Sequence, residues 1–101
     1  RIFGNSSDNV LTGGAGDDML TGQFGQDRFV HAPGDDGMTV TDFVQGEDVL
    51  DLSAHGLGAF VAVRALLADG AAGARIEFGD GGFVQLNGVA ATALQDADVL
   101  L

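Results

Sequence analysis

Aspartate and glycine recur at a fixed spacing in the first part of the chain, and these two residue types together can bind metal ions. The stretch LTGGAGDDMLTGQFGQDRFV, residues 11–30, shows the spacing most clearly. Calcium takes about 6–8 oxygen ligands and mixes carboxylates freely with backbone carbonyls, which glycine-rich turns expose. Grouped carboxylates repel one another unless a cation lies between them. The pattern therefore predicts calcium sites built from aspartate side chains and turn carbonyls.

The spacing is a repeat of nine residues. Four consecutive nines begin at Gly4, Gly13, Gly22 and His31. The sixth position is Asn9, Asp18, Asp27 or Asp36, and the eighth is Leu11, Leu20, Phe29 or Met38. One apolar residue in nine does not form an amphipathic helix, which needs apolar residues at i, i+3, i+4 and i+7. The repeat suits a very short strand followed by a glycine turn.

Two nines are expected to form one flattened coil of 18 residues. Stacked coils would then pair as parallel strands about 4.8 Å apart. This register places Asn9 above Asp27 and Asp18 above Asp36. A cation between such stacked side chains would offset their repulsion.

The composition excludes several functional classes. The 101 residues carry a formal net charge of −11, which repels nucleic acid and attracts cations. There is no cysteine, so a disulfide framework and a cysteine-based zinc site are excluded. Hydrophobic residues make up 46% of the chain, which favours a folded domain over a disordered acidic tail. The most apolar segment, residues 57–68, is too short to be a transmembrane segment.

Catalytic and nucleotide-binding motifs are missing from the sequence. His31 and His55 are isolated and form no HExxH motif, and the chain has no lysine for a phosphate-binding loop. No EF-hand loop is present. Asp42, Asp48 and Asp51 could serve acid–base chemistry, and Asp42 could lend an oxygen to calcium. Their alternation with apolar residues favours solvated faces of strands instead.

The second half of the chain predicts strands and one short helix. Residues 60–68, FVAVRALLA, are typical of an amphipathic helix with Arg64 facing outward. Residues 76–78 and 83–86 predict a hairpin that turns at residues 79–82. The phenylalanines expected in the core are Phe43, Phe60, Phe78 and Phe83.

These elements predict an all-β fold. A short calcium-binding parallel β-roll is expected over residues 4–39. Mostly antiparallel strands with one short helix are expected over residues 40–101, where they would close the roll.

The repeats resemble a known family. GGAGDDMLT, residues 13–21, matches the RTX nonapeptide GGxGxDxUx throughout, and GQFGQDRFV departs from it only at Gln23. The later segments resemble the C-terminal region of serralysin-type and other type I secreted RTX proteins. These segments are TVTDFVQGEDVLDLSAHG (39–56), ARIEFGDGGFVQLNGV (74–89) and DADVLL (96–101). The chain is thus similar to a single RTX C-terminal domain over residues 1–101.

The resemblance implies two calcium sites, each formed by two stacked turns through backbone carbonyls and the side chains at position six. The first would use Asn5, Ser7 and Asn9 with Gly22, Phe24 and Asp27. The second would use Gly14, Gly16 and Asp18 with Asp36. Asn9 replaces an aspartate, which implies a weaker first site. The turn HAPGDD departs from the family pattern at His31 and Ala32, which leaves the other carbonyl ligands of the second site unassigned.

The resemblance also implies a function. The chain would be the non-catalytic C-terminal module of a larger, secreted bacterial protein, with a passenger domain upstream and Arg1 at a cut point. It would fold on calcium outside the cell, and residues 40–101 would carry the signal read by the type I secretion machinery. One alternative is part of a secreted enzyme: a protease such as a serralysin-type metalloprotease, a lyase or an epimerase. The other is an adhesin or carbohydrate-binding module.

Overall fold

The computed structural model describes residues 2–14, 16–70, 73–79 and 82–101, and within these ranges the chain forms short strands joined by tight turns. The strands are β1 (Ile2–Phe3), β2 (Val10–Thr12), β3 (Asp18–Thr21), β4 (Arg28–Val30), β5 (Gly37–Val40), β6 (Val49–Asp51), β7 (Leu67–Asp69), β8 (Gly73–Glu77), β9 (Phe83–Asn87) and β10 (Val99–Leu100). One α-helix, α1, spans Phe60–Leu66. Arg1 and the centre of the predicted hairpin turn, residues 80 and 81, lie outside the described residues.

The first strands wind as a parallel roll. They alternate between two sheets, with β1, β3 and β5 adjacent in one and β2, β4 and β6 adjacent in the other. Ile2 lies opposite Leu20, and Leu11 lies opposite Phe29. These partners are one predicted coil apart, so the parallel roll expected from the nonapeptides is confirmed. The apolar residue at position eight of each nine points into the space between the sheets, where Leu20 and Phe29 are fully buried.

The coil then becomes longer. Leu20 pairs with Val40 instead of Met38, because the strands β3 and β5 are offset by two residues more than a regular coil. Asp18 consequently lies opposite Met38, and the expected placement of Asp18 above Asp36 is wrong. The extra length lies in the turn before β5, where His31 is buried and its Nε2 contacts the Asp36 carbonyl at 2.8 Å. The ring takes up space that a glycine would leave free.

The C-terminal segment continues the roll further than the sequence predicted. β9 pairs parallel with β5, and β10 pairs parallel with β6, so these late strands form one more coil. Antiparallel pairing in the described residues is confined to β7, β8 and β9. The predicted hairpin is confirmed as β8 and β9. The predicted helix is also confirmed, with Arg64 exposed, but it ends at Leu66 because the chain enters β7 there.

Apolar side chains from both sheets and from α1 form one core. Its largest fully buried members include Phe29, Leu20, Met38, Leu50, Leu52, Ile76, Leu86 and Leu94. Of the phenylalanines predicted for the core, Phe43 is buried, whereas Phe60 and Phe78 only pack against its border and Phe83 is half-buried. No helix in the described residues is long and apolar enough to cross a membrane.

Candidate metal centre

Three turns stack along one side of the roll, at residues 4–9, 22–27 and 42–48; we refer to them together as the acidic edge. A ladder of side-chain hydrogen bonds joins them. The N–H of Asn9 donates to Oδ1 of Asp27 at 2.9 Å, and the N–H of Asp27 donates to Oδ1 of Asp48 at 2.9 Å. Oδ2 of Asp48 accepts the N–H of Val44 at 2.9 Å. Each aspartate therefore holds the turn above it in place.

Asp27 retains one oxygen without a partner. The residue is only 1% exposed, and its Oδ2 accepts no hydrogen bond from any described residue. An unpaired buried carboxylate oxygen is costly, because it has lost its water and gained nothing in return. A metal ion bound at the acidic edge would have this oxygen as a ligand.

Two glycines let oxygens of neighbouring turns approach one another. A Cβ on Gly4 would lie 2.5 Å from Oδ1 of Asn9 and 2.6 Å from the carbonyl oxygen of Gly22. A Cβ on Gly22 would overlap Oδ2 of Asp27. The glycines are thus required by close approach, and the space that they leave is bordered by side-chain and carbonyl oxygens. Calcium prefers this donor set.

Further carboxylates fix the backbone of the middle turn. Asp42 accepts the N–H of Gly22 at 2.9 Å and of Gln23 at 2.7 Å, one with each oxygen. Asp8 accepts the N–H of Gln26 at 2.6 Å. The middle turn is therefore held from above and below by acidic side chains.

The grouping of carboxylates shifts their pKa values. Burial raises the pKa of Asp27, and the charges of Asp48, Asp42 and Asp8 raise it further, although the hydrogen bond from the Asn9 N–H opposes them. Burial likewise raises the pKa of Asp48, against the hydrogen bonds that it accepts. Without a cation, these groups thus resist ionisation, and a bound cation would reverse that effect.

Asp48 and Asp51 are buried, at 2% and 8% exposure, so the expectation that they lie on solvated strand faces is wrong. Asp48 belongs to the ladder of the acidic edge. Asp51 lies at the end of β6, where Oδ1 accepts the hydroxyl of Ser53 at 2.6 Å and its N–H at 3.0 Å. Arg28 lies 3.9 Å from Oδ2 of Asp51. Asp51 therefore serves local structure and does not face the acidic edge.

The opposite edge contains the second predicted ligand set and is less regular. Oδ2 of Asp36 accepts the N–H of Gly16 at 2.8 Å, so these two residues do come together. Oδ2 of Asp18 is buried and has no hydrogen-bond partner in the described residues. Gly14, like Gly16, has a positive φ. The two-residue offset separates Asp18 from Asp36 along the strands, so this edge offers fewer converging oxygens than the acidic edge.

A stack of aromatic rings closes the opposite edge. The rings of His31 and His55 are parallel, with centroids 5.1 Å apart, and the ring of Phe78 lies 3.9 Å from that of His55. Nδ1 of His31 and Nε2 of His55 are 2.9 Å apart. The histidines are therefore structural here, where the sequence showed only that they form no protease motif.

The structure brings together the turns that carry the first predicted ligand set. The residues of that set are Asn5, Ser7, Asn9, Gly22, Phe24 and Asp27. Sequence reasoning missed Asp48, because the turn at residues 42–48 lacks the GGxGxD pattern; its one signal was an aspartate directly before an apolar strand. Within the described ranges, no three His, Cys, Asp or Glu side chains are arranged to hold a metal ion, so any calcium there also needs backbone carbonyls.

Comparison with known families agrees with this reading of the turns. The sequence model of the RTX calcium-binding nonapeptide repeat matches residues 1–38, in four copies. Searches of the curated proteins and of the solved structures found no match. The match covers both edges up to the start of β5.

Proposed function

We propose that this chain, whose first 38 residues are RTX calcium-binding repeats, is the calcium-binding C-terminal module of an extracellular bacterial RTX protein. The observation that carries the proposal is the buried, unpaired Oδ2 of Asp27 between stacked turns of the acidic edge. A bound cation would compensate the charge of a carboxylate oxygen in that position. The repeats are structural motifs, and we propose that the module itself is not an enzyme.

The first calcium site would lie between turns 4–9 and 22–27. Its proposed ligands are carbonyls of Asn5, Ser7, Gly22 and Phe24 and the side chains of Asn9 and Asp27. Calcium there would supply positive charge to the grouped carboxylates. The chain's own part is to hold the oxygens close together, which it does through Gly4, Gly22 and the Asp27–Asp48 hydrogen bond.

The second site would lie at the opposite edge, with Gly14, Gly16, Asp18 and Asp36 as proposed ligands. The unpaired Oδ2 of Asp18 supports it. The two-residue offset between β3 and β5 counts against tight binding, because Asp36 lies beside Gly16 instead of Asp18. We therefore propose that this site binds calcium more weakly than the first, which reverses the order that Asn9 alone implies.

Calcium binding would also drive folding. The net charge of −11 opposes compaction, and the free energy of metal binding becomes folding free energy when the site is absent from the unfolded chain. In a compartment with little free calcium the roll would be only marginally stable, and a large share of the chains would be unfolded. Outside the cell, calcium would complete the roll.

We propose that residues 40–101 close the roll and carry the type I secretion signal for an upstream passenger. Residues 96–101, DADVLL, which we call the tail, support this role, because they resemble the C-terminal segment of type I secreted RTX proteins. Strand β10 pairs with β6 in the folded roll, and we propose that an exporter reads this tail before folding. The sugar-binding alternative is less favoured, because arginine guanidinium groups lie over the rings of Phe60 and Phe83, at 5.2 and 3.8 Å.

A calcium titration tests the proposed binding and folding. We expect calcium to increase the β-sheet signal in circular dichroism, and EGTA to reverse it. Asp27→Asn keeps the side-chain shape but loses the charge, so it should raise the calcium midpoint about tenfold or more. Asp96→Asn, at an exposed aspartate outside the three turns of the acidic edge, is the matched control. A spectrum that calcium and EGTA both leave unchanged would contradict the proposal.

A further inference from the structure

Gln45 lies in the last turn of the acidic edge, and its side chain reaches the C-terminal segment. Its Nε2 donates to the carbonyl oxygen of Ala93 at 2.7 Å and to Oδ2 of Asp98 at 2.8 Å. These contacts cross 48 and 53 residues of sequence. One exposed side chain thus joins the acidic edge to the end of the chain.

Asp98 is a buried carboxylate that depends on such donors. It is 5% exposed, and its Oδ2 also accepts the N–H of Gln95 at 2.8 Å. Neither ion pair recorded between described residues includes it. Removing one of these two donors leaves the buried carboxylate less well compensated, which costs more than the loss of an exposed hydrogen bond. The Gln45 amide therefore helps to hold Asp98 inside the fold.

The segment that follows Asp98 is β10. Val99 lies opposite Leu50 of β6, and the N–H of Leu52 donates to the carbonyl of Leu100 at 2.8 Å. β6 itself begins directly after Asp48. The strand that receives the tail is therefore the strand that leaves the last turn of the acidic edge.

A continuous chain of contacts connects the proposed metal ligand to the tail. Asp27 donates its N–H to Asp48, and Asp48 accepts the N–H of Val44. Gln45 follows Val44 in the same turn and donates to Asp98. Calcium that orders Asp27 would order this turn, and the ordered turn would present Gln45 to the tail.

We propose that Gln45 couples calcium binding at the acidic edge to docking of β10, so that the site and the chain end become ordered together. The inference rests on the proposed function, since it assigns a regulator to the same calcium site. Coupling of this kind is reciprocal: a docked tail raises calcium affinity as much as calcium favours the docked tail. Gln45 is a positioning residue and not a ligand.

Hydrogen exchange of the tail and a calcium titration together test the coupling. In saturating calcium, Gln45→Ala should increase amide exchange in residues 98–101 about tenfold while β2 and β4 remain protected. The calcium midpoint should also rise about tenfold, as expected for the loss of hydrogen bonds to a buried charge. Gln26→Ala is the matched control, because that glutamine is exposed on the same edge and its side chain makes no recorded hydrogen bond within the described ranges. Gln45→Met, which keeps the length without the donor, should act like Gln45→Ala.

A double-mutant cycle separates coupling from general destabilisation. In an Asp98→Ala background, Gln45→Ala should raise the midpoint less than it does in the parent chain, because only its contact with the Ala93 carbonyl remains to be lost. Fully additive effects, or a tail whose exchange Gln45→Ala leaves unchanged, would overturn the coupling while the calcium response of the parent chain stands. A parent chain without any calcium response would overturn the proposed function, and the coupling with it.

Discussion

The carboxylate of Asp48 accepts the backbone N–H of Asp27 at 2.9 Å, although 21 residues separate them. Asp27 in turn accepts the N–H of Asn9, 18 residues earlier, at 2.9 Å. The three side chains form one column along the acidic edge. Because each lower residue holds the turn above it, these hydrogen bonds set the spacing of the three turns. Calcium would bind the oxygens that these hydrogen bonds leave unpaired.

Asn9 is the neutral member of this column, and restoring a charge there should strengthen binding. Asn9→Asp keeps the oxygen that accepts the Asn5 N–H at 2.9 Å, and it adds a second carboxylate beside Asp27. We expect the calcium midpoint to fall about tenfold, because affinity rises with ligand charge. The calcium-free protein should become less stable, because the added charge repels its neighbours. Calorimetric titration and urea unfolding in EGTA measure the two effects, and an unchanged calcium midpoint would place Asn9 outside the site.

Mild acid should stabilise the calcium-free protein. The raised pKa of Asp27, due first to burial and then to neighbouring carboxylates, means that the folded state binds this proton more tightly than the unfolded chain, whose carboxyl has a pKa near 3.8. The free energy of unfolding therefore rises as the pH falls from neutral toward that value. We expect a higher urea midpoint at about pH 4.5 than at about pH 7 in protein freed of calcium on a chelating resin.

Two comparisons make the pH experiment specific. Asp27→Asn combined with Asp48→Asn should remove most of the acid stabilisation. The pKa shift of Asp51 has the opposite sign. Burial would raise its pKa, but the hydrogen bonds from Ser53 and the charge of Arg28 outweigh burial and lower it. Its contribution is therefore lost only below about pH 3.8, outside the window compared. A lower urea midpoint at pH 4.5 than at pH 7 in the parent chain would show that the carboxylates of the acidic edge do not control this stability.

The nonapeptide pattern predicted the parallel roll because its signal is local. Leu11, Leu20 and Phe29 repeat every nine residues, and the structure buries all three. The pattern failed at His31, where the chain follows a different turn and Val40 takes the place expected of Met38. A buried ring that contacts the Asp36 carbonyl cannot be predicted from repeat spacing, since its partners His55 and Phe78 are distant in sequence.

The late strands were harder to predict for the same reason. Val40 pairs with Leu86, and Leu50 pairs with Val99, across long segments that carry no repeat. Alternating apolar residues predicted a hairpin at β8 and β9, but alternation does not say that β9 joins β5 in parallel. Asp48 was missed as part of the acidic edge because only the stacking of turns reveals it.

Gln23 marks the one departure of the third nonapeptide, residues 22–30, from the glycine pattern, and it is strained. Its φ is 68°, a conformation that glycine adopts readily and other residues adopt at a cost. Asp42 holds its N–H at 2.7 Å, which stabilises this turn. We expect Gln23→Gly to raise the free energy of unfolding in calcium by about 1 kcal/mol. Gln26→Gly, where φ is not positive, should lower it by about 0.5–1 kcal/mol, and a destabilising Gln23→Gly would contradict the assignment of strain.

Residues 98–101 should be needed for two things. Their sequence should be required for export, and the strand β10 that they contain should be required for folding. Deleting residues 98–101 removes β10, its pairing with β6 and the carboxylate that Gln45 contacts. In a host with a type I exporter, a fusion of an inert passenger to residues 1–101 should be secreted, and the fusion lacking residues 98–101 should not. The deletion should also raise the calcium midpoint, because the roll loses its last strand. Secretion is measured in the medium, and folding by circular dichroism of the purified fusions.

Gln45→Ala separates the two roles of the tail, because it loosens β10 in the folded roll and leaves the sequence of the tail intact. If the exporter reads the unfolded tail, this variant should be secreted as well as the parent fusion while it needs more calcium to fold. Equal loss of secretion in Gln45→Ala and in the deletion would show that export fails through folding, and that residues 98–101 are a strand and not a signal. Full secretion of the deletion would place the signal elsewhere in the chain.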